Sequence, residues 1–281
     1  MASLRGVIRD QLDENNYAVE CIGLQEQKSM VENILQGVIE NQHSDSFMLV
    51  GAPGTGKSLL LQQILSNLHK THKGKLIEIR LNGLLHSDPR VGCQHILESM
   101  GNNQAFGSFE AETEKIINLF EGKNKTIIVI LDKLDLFANL YQGKQSLLYF
   151  LFDLLHNPRI YLCIVCMTNR YDCISLLEKR VISRFSQLQI RFYTPAEIED
   201  YLSLIKSRLL IPTTNSQLPK KTIQEYNESV NVLFRNDLSF FSIVERMFLS
   251  SKSPRKCLDL LVTITIVKLY DTITQFSIFS D

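Results

Sequence analysis

The chain has 281 residues, of which 44% are hydrophobic and 21% are charged. This length can bury a sizeable core in one or two domains, and this composition excludes a disordered tail, a collagen-like rod or a coiled coil as the main architecture. The 30 basic and 30 acidic residues give a formal net charge of zero. Any contact with nucleic acid is therefore expected to be local or shared with partner chains, because bulk positive charge is missing.

Strands and helices alternate up to about residue 194, as apolar runs and helical spacing indicate. In chain order we predict strand Ser46–Gly51, helix Lys57–Lys70, strand Lys75–Leu81, helices Pro89–Met100 and Glu110–Phe120, strand Thr126–Leu131, helix Gln145–Leu155, and strands Ile160–Met167 and Gln187–Phe192. This alternation is typical of a parallel sheet with helices on both faces.

Only helical patterns follow Thr194 and Pro195. They cover Ala196–Leu210, Ile223–Arg235, Leu238–Leu249 and Arg255–Tyr270. We therefore expect an α/β base over residues 1–194 and an all-helical lid domain over residues 195–281.

Neither a membrane partner nor an oxidising compartment is expected. No segment approaches the roughly 20 apolar residues that span a bilayer, and the N-terminus lacks the apolar core of a secretory signal. The six cysteines are scattered, which favours reduced thiols. Cys163 and Cys166 have zinc-like spacing, but no second pair follows and their segment has the pattern of a buried strand, which disfavours a zinc site.

The strongest motif is a glycine-rich loop between the first predicted strand and the next helix. It fits the pattern G-x-x-x-x-G-K-[ST] and consists of Gly51, Ala52, Pro53, Gly54, Thr55, Gly56, Lys57 and Ser58. The glycines let successive backbone N–H groups turn toward phosphate oxygens, and the helix N-terminus adds partial positive charge. Lys57 can then reach the β- and γ-phosphates, and the Ser58 hydroxyl can ligate Mg²⁺. The loop predicts an ATP site with magnesium; a glycine-rich turn without a ligand is the alternative.

An acidic residue is also needed near a nucleotide-bound Mg²⁺, at the tip of a neighbouring strand. Asp132 follows the apolar run Ile127–Leu131 and is predicted to fill that place. A solvated aspartate after an ordinary strand is the alternative interpretation.

Lys133 stands where many ATPases of this layout place the glutamate that orients the attacking water. A charged ammonium cannot accept the proton of that water, and the loss of a general base costs roughly 10²–10⁴ in rate. Asp135 is close in sequence but is expected to point elsewhere. We therefore predict ATP binding with weak or no intrinsic hydrolysis, and whether any ATP is hydrolysed in cis stays open.

With these motifs the chain resembles an AAA+ ATPase of the initiator group, and within that group the subunit 4 proteins of the eukaryotic origin recognition complex. The resemblance runs from about residue 20 to residue 270. The stretches that carry it are Cys21–Gln27, Leu81–Leu85, Leu131–Phe137, which is similar to the family's Leu-Asp-Glu-Phe-Asp-Leu-Phe, and two that look specific to subunit 4, Ser146–Asp153 and Leu177–Phe185.

The resemblance implies further site residues. Ile22 lies in the segment that packs against adenine in such proteins, and Asn169 takes the sensor 1 position, where its amide would bond the γ-phosphate or the water. Arg184 matches the arginine finger, which in the family reaches the ATP of subunit 1, and Arg180 would support it. Arg255 matches the sensor 2 arginine through which the lid senses ATP in cis. Solvated surface arginines and a plain loop asparagine are the alternatives.

The resemblance also implies a function. The chain is expected to be a nuclear, ATP-binding subunit of the origin recognition complex that binds duplex origin DNA in a ring of AAA+ subunits, next to subunit 1 and with subunits 5 and 2, and supports helicase loading. Family members continue into a winged-helix domain, which is expected to be absent here. One alternative is a stand-alone AAA+ loader or remodelling ATPase, against which Lys133 argues. The other is a degenerate structural AAA+ module, against which the intact Lys57, Ser58 and Asp132 argue.

Overall fold

The computed structural model describes residues 6–8, 23–102, 107–123, 125–138, 145–212, 218–236 and 238–260. The chain divides into two compact units. Among the described residues, the larger one contains Gly23–Ala52 and Gly56–Phe192, and the other contains residues 6–8, Pro53–Thr55 and the residues from Tyr193 to Leu260. The assignment of a base to residues 1–194 and a lid to residues 195–281 stays a prediction about domains.

A five-stranded parallel sheet forms the centre of the larger unit. The strands lie in the order β2-β3-β4-β1-β5, and all four neighbouring pairs are parallel. Their bounds are β1 Asp45–Gly51, β2 Leu76–Asn82, β3 Thr126–Asp132, β4 Tyr161–Thr168 and β5 Gln189–Phe192. Because parallel strands end at the same edge, this order collects the residues after β1, β2, β3 and β4 along one edge of the sheet. The predicted parallel sheet with flanking helices is confirmed.

Helices connect and flank these strands. They are α1 Gln25–Asn41, α2 Lys57–Thr71, α3 Pro89–Ser99, α4 Phe109–Glu121, α5 Leu134–Ala138, α6 Ser146–Asp153 and α7 Lys179–Ile182, with 3₁₀ turns at Leu154–His156 and Cys173–Leu176. Sequence signals explain some of the starts: Asp88 accepts hydrogen bonds from the first turn of α3, which has Pro89 at its first position, and Ser108 caps α4. Such caps satisfy N–H groups that have no partner inside the helix.

The core of the larger unit lies where these helices cover the sheet. The apolar run Ile127–Leu131 of β3 is at most 1% exposed at every position, which agrees with a strand buried on both faces. Full burial of each such side chain contributes about 1.5–3 kcal/mol, so β3 and the neighbouring β4 give the sheet edge a rigid support.

The secondary-structure elements described in the second unit are helices. It contains α8 Ile198–Leu209, α9 Lys220–Asn236 and α10 Leu238–Ser251, and residues 254–260 are also helical. Its core includes Tyr201, whose hydroxyl donates to the Ser253 carbonyl over 3.1 Å. The remainder of the predicted helix Arg255–Tyr270 lies outside the described residues. Among the helices that the structure describes, none is long and apolar enough to cross a membrane.

Candidate nucleotide site and arginine cluster

The phosphate loop has the backbone shape that its glycines predict. β1 ends at Gly51 and α2 begins at Lys57, while Gly54 and Gly56 have φ angles of 82° and 92°. This left-handed region is open to glycine at little cost. A Cβ on Gly56 would also lie 2.9 Å from Cδ1 of Leu24, so its conformation requires glycine and a side chain there would displace Leu24.

Lys57 is the buried cation of this loop. Its side chain is 8% exposed, and its Nζ donates to the carbonyls of Gly51, over 2.6 Å, and Ala52, over 2.9 Å. Burial lowers the pKa of Lys57 to about 8, and the nearby Asp132 carboxylate opposes that shift. A desolvated ammonium that donates to neutral carbonyls is well suited to an added anion.

Asp132 lies at the sheet edge, as predicted. It is the last residue of β3 and pairs with Asn82 of β2 and Met167 of β4. The Asn82 Nδ2 donates to Asp132 Oδ2 over 3.4 Å, and Ser58 is exposed in the first turn of α2. A hydroxyl and a carboxylate are the oxygen ligands that Mg²⁺ prefers. The loop, Lys57, Ser58 and Asp132 therefore fit a magnesium-bound nucleoside triphosphate.

Lys133 occupies a tightly packed junction. Its φ angle is 57°, a left-handed conformation that costs a non-glycine residue about 1–2 kcal/mol. A Cβ on Gly83 would lie 2.5 Å from the Lys133 carbonyl oxygen, and that oxygen accepts a hydrogen bond from Leu136 N over 2.9 Å. Lys133, which replaces the usual glutamate, thus lies between β3 and α5, where its backbone packs closely against the backbone of Gly83.

Asp135 and Asn169 lie at the end of β4. Asp135 Oδ1 accepts a hydrogen bond from Thr168 Oγ1 over 2.9 Å, so its carboxylate is engaged with the last residue of β4. The same Thr168 oxygen accepts from Arg170 N over 3.1 Å. Asn169 stands between these two residues and is exposed. The structure thus places Asn169 at the sheet edge that also carries Asp132.

Arg184, two residues after the end of α7, belongs to a group of four side chains from α6, α7 and the residues just after α7. We call this group the arginine cluster: Tyr149, Asp153, Arg180 and Arg184. Arg184 Nε donates to Asp153 over 2.7 Å, Nη1 to the Arg180 carbonyl over 3.0 Å, and Nη2 to the Tyr149 hydroxyl over 3.0 Å. Its guanidinium also lies 4.5 Å from the centre of the Tyr149 ring. The other arginine of the cluster, Arg180, lies 4.9 Å from the same ring centre.

A guanidinium has five N–H donors, and the contacts within the cluster use three of those on Arg184. The remaining two, one on each terminal nitrogen, have no acceptor among the described residues, and the side chain is 27% exposed. Two such N–H groups can bind one phosphate or carboxylate in a forked arrangement. The cluster therefore holds Arg184 in one orientation and leaves its outer edge available.

The remaining predicted residues are Arg255 and Ile22. A Cβ on Gly54 would lie 3.2 Å from Cβ of Arg255 and 2.7 Å from Oγ of Ser253, and all three residues belong to the smaller unit. Arg255 thus lies next to Gly54 within the smaller unit. Ile22 lies outside the described residues.

Sequence reasoning missed two partners of Arg184. Neither Tyr149 nor Asp153 was predicted to contact Arg184. They come from a helix that ends 31 residues before Arg184, and neither spacing nor composition reveals such a contact. The sequence feature that pointed to this contact was the pair of stretches that resemble subunit 4, Ser146–Asp153 and Leu177–Phe185, which the fold brings together.

Comparison with known proteins places these features in a family. The family described as ATPase family associated with various cellular activities (AAA) matches residues 47–195. Origin recognition complex subunit 4 of Mus musculus is 28% identical over 264 residues, which cover 90% of this chain and 60% of that protein. Origin of replication complex subunit 4 of Arabidopsis thaliana is 31% identical over 252 residues, which cover 86% of this chain and 59% of that protein. The chain thus spans about three fifths of the length of these relatives.

Two solved structures have the same fold. A chain in the structure of Drosophila ORC bound to DNA matches with a TM-score of 0.66 and 18% identity, over 97% of this chain and 62% of that one. The Aeropyrum pernix ORC1 protein in complex with DNA matches with a TM-score of 0.64 and 17% identity, over 92% of this chain and 69% of that one. The family match covers just over half of the sequence and includes the phosphate loop and Asp132. The chain belongs to the AAA family of ATPases.

Proposed function

We propose that the chain is an ATP-binding subunit of an origin recognition complex. In this role it binds replication-origin DNA within a ring of AAA+ subunits and supplies Arg184 to the ATP site of a neighbouring subunit. The subunit 4 names of its relatives support this assembly, and the two N–H groups that Arg184 leaves available carry the trans role.

Its own site would bind magnesium and ATP through the phosphate loop. The backbone N–H groups from Gly51 to Ser58 would surround the phosphates, and the Lys57 ammonium would exchange its carbonyl partners for phosphate oxygens. Ser58 and Asp132 would hold the magnesium ion, which neutralises phosphate charge when bound. Asn169 at the end of β4 is the sensor 1 residue of this proposal, and Arg255 beside Gly54 is its sensor 2 residue.

Hydrolysis at this site is proposed to be weak or absent. Lys133 supplies no carboxylate to accept the proton of a water molecule, and the Asp135 carboxylate is engaged by Thr168. These two observations disfavour a stand-alone remodelling ATPase. They leave ATP bound as a structural ligand that keeps the subunit ready for assembly.

The chain would act on a neighbour's ATP through Arg184. A planar guanidinium neutralises charge on the γ-phosphate in the transition state of phosphoryl transfer, and an arginine supplied in trans raises the rate about 10³–10⁵-fold. Asp153 and Tyr149 fix its Nε and Nη2, so little side-chain freedom remains to be lost when the outer edge meets the phosphate. The family resemblance suggests subunit 1 as that neighbour, with subunits 5 and 2 elsewhere in the ring.

DNA binding would be shared across the ring in the nucleus. A chain with 30 basic and 30 acidic residues has no bulk charge for coating DNA. Contacts from several subunits that close around the duplex meet this requirement, and helicase loading would follow from the closed, ATP-bound state.

The test is to assemble the chain with candidate subunits and to measure ATP turnover with and without Arg184→Ala. We expect turnover to fall by about 10³-fold or more, while the affinity of this chain for labelled ATP stays unchanged. Arg159→Ala is the matched control, because Arg159 is also an ion-paired arginine of the larger unit and is 78% exposed. Unchanged turnover in an assembled Arg184→Ala complex would contradict the trans role.

A further inference from the structure

Gln145 and Glu178 join the two helices that carry the arginine cluster. Gln145 immediately precedes α6, and Glu178 immediately precedes α7. The Gln145 backbone N donates to Glu178 Oε1 over 2.9 Å, and the Glu178 backbone N donates to Gln145 Oε1 over 2.9 Å. Each residue therefore satisfies the other's backbone at a helix start, and α6 and α7 are fixed to each other at their N-terminal ends.

The Gln145 side chain also reaches the segment that follows Asp132. It is 5% exposed, and its Nε2 donates to the carbonyls of Leu176, over 2.7 Å, and Ala138, over 3.1 Å. Ala138 is the last residue of α5, whose first residue is only two positions after Asp132. The side-chain amide has used both donors and its acceptor, so moving it costs buried hydrogen bonds.

The end of α5 is thereby connected to the ends of β3 and β4, at the sheet edge that carries Asp132 and Asn169. Asp132 leads directly into α5, and Asp135 within α5 is bonded to Thr168, next to Asn169. A displacement of either strand tip would therefore reach Ala138 through α5. Packed interiors transmit such small shifts because they do not deform continuously.

Glu178 carries the connection onward to the finger. Its Oε2 accepts from Arg180 Nε over 2.5 Å, and the Arg180 carbonyl accepts from Arg184 Nη1. On the other helix, α6 presents Tyr149 and Asp153 to the same guanidinium. A change at the Gln145–Glu178 pair therefore alters both sets of contacts that orient Arg184.

We propose that Gln145 and Glu178 are positioning residues that couple occupancy of this chain's own nucleotide site to the orientation of Arg184. This inference rests on the proposed function, because it needs a nucleotide at the phosphate loop and a finger that acts in trans. Nucleotide engaged by Asp132 or Asn169 sets α5, α5 sets Gln145, and the Gln145–Glu178 pair sets the cluster. The chain would then offer its finger in a form that depends on its own ATP.

Hydrogen exchange of the purified full chain, with and without magnesium and ATP, tests the coupling without any turnover. Amides of residues 179–185 are informative because those of Ser183, Arg184 and Phe185 are hydrogen-bonded within α7 and its end. In the natural chain we expect ATP to slow exchange both at residues 51–58 and at residues 179–185. In Gln145→Ala, ATP should still slow exchange at residues 51–58. The slowing at residues 179–185 should fall to less than about one fifth of its value in the natural chain, which corresponds to the loss of one net hydrogen bond.

A second variant and a control guard against misfolding. Glu178→Gln keeps an acceptor for the Gln145 backbone and removes the negative charge that faces Arg180, so it should fold and should also weaken the response at residues 179–185. Gln94→Ala is the matched control, because Gln94 donates a side-chain bond to Glu98 on α3 over 2.8 Å; it should leave both responses intact.

The outcomes distinguish failure of the coupling from failure of the proposed nucleotide site. Protection at residues 51–58 with an unaltered response at residues 179–185 in both variants overturns the coupling and leaves the nucleotide site standing. Absence of protection at residues 51–58 in the natural chain overturns the nucleotide site and the coupling together. In the assembly, Lys57→Ala and Gln145→Ala should lower turnover non-additively, since either change breaks the same connection; additive losses overturn the coupling even where Arg184→Ala confirms the finger.

Discussion

The phosphate loop and the arginine cluster hold their cations in opposite ways. Lys57 is buried, and it bonds to carbonyls that lie five and six residues away in sequence. Arg184 is partly exposed, and its partners include side chains that lie 31 and 35 residues away. The first site is a local product of one contiguous motif, whereas the second exists only after α6 and α7 have packed together.

This contrast suggests a division of labour within one unit. A buried ammonium gains from meeting an anion that enters its own loop, which suits a ligand kept for long periods. A guanidinium that is oriented by three hydrogen bonds within its own chain, with its two remaining N–H groups available, is suited to an acceptor on another molecule. The predictions below test the two sides separately.

The largest effect of this series is expected at Lys133, which we propose keeps hydrolysis at the nucleotide site of this chain weak or absent. Lys133→Glu restores a carboxylate next to Asp132 and should raise ATP turnover by this chain by about 10²-fold. Steady-state phosphate release from the purified chain measures it. Lys133→Ala removes the cation without adding a base and should give no comparable gain. Turnover of several per second in the natural chain, unchanged in Lys133→Ala, would contradict this explanation.

Rigidity of the sheet edge behind Asp132 is tested at Gly83. A Cβ there would lie 2.5 Å from the Lys133 carbonyl oxygen and 2.8 Å from Cβ of Leu136, so Gly83→Ala should lower the free energy of unfolding by about 1–3 kcal/mol. Urea denaturation followed by circular dichroism measures the change. Gly37→Ala in α1 is the control, since its nearest neighbour is 3.6 Å away, and it should stabilise by about 0.5–1 kcal/mol. Equal effects of the two changes would show that the edge is not packed as described.

Burial of Lys57 predicts a pH dependence on the nucleotide side alone. Its pKa of about 8 means that raising the pH from 7 to 9 neutralises most of the ammonium in the free chain, whereas bound phosphates favour the protonated form. Affinity for ATP should therefore fall about tenfold over this range. Calorimetry in two buffers should show proton uptake on binding at pH 9. In the Lys57→Ala variant, residual affinity should not change between pH 7 and pH 9.

The smallest effect is expected at the Tyr149 hydroxyl. Tyr149→Phe removes one hydrogen bond to Arg184 but keeps the ring beneath the guanidinium, so the assembly should lose about fivefold in turnover. Affinity of this chain for ATP should be unchanged. Tyr161→Phe, at the start of β4, is the control with the same chemical change. A loss as large as that of Arg184→Ala would mean that Tyr149 does more than brace the arginine.

Long, wholly apolar elements of the fold were predicted from the sequence, whereas short or weakly buried ones were not. The buried strand predicted over Thr126–Leu131 is β3, Thr126–Asp132, because a wholly apolar run has few alternatives. Helix α1 was missed, since only Val31, Leu35 and Val38 along its 17 residues are buried. Helices α5 and α7 have five and four residues, which is too short for helical periodicity to be recognised.

For the candidate site, prediction from the sequence was limited to residues whose roles are encoded by their neighbours in sequence. The phosphate loop and Asp132 were predicted because a motif and a strand end encode them locally. Gln145, Asp153 and Glu178 were not, because their roles depend on hydrogen bonds between segments about 30 residues apart. Arg184 was identified through the family resemblance, and its geometry needed the packed helices.

The most direct test of the account is a titration of the purified chain with labelled ATP and magnesium, alongside Lys57→Ala and the control Lys70→Ala, whose lysine is exposed near the end of α2. The account predicts saturable binding by the natural chain and by Lys70→Ala. It predicts a loss of about 10²-fold or more in Lys57→Ala, because a charged partner of the phosphates is removed. Absence of binding by the folded natural chain, or equal binding by Lys57→Ala, would contradict it.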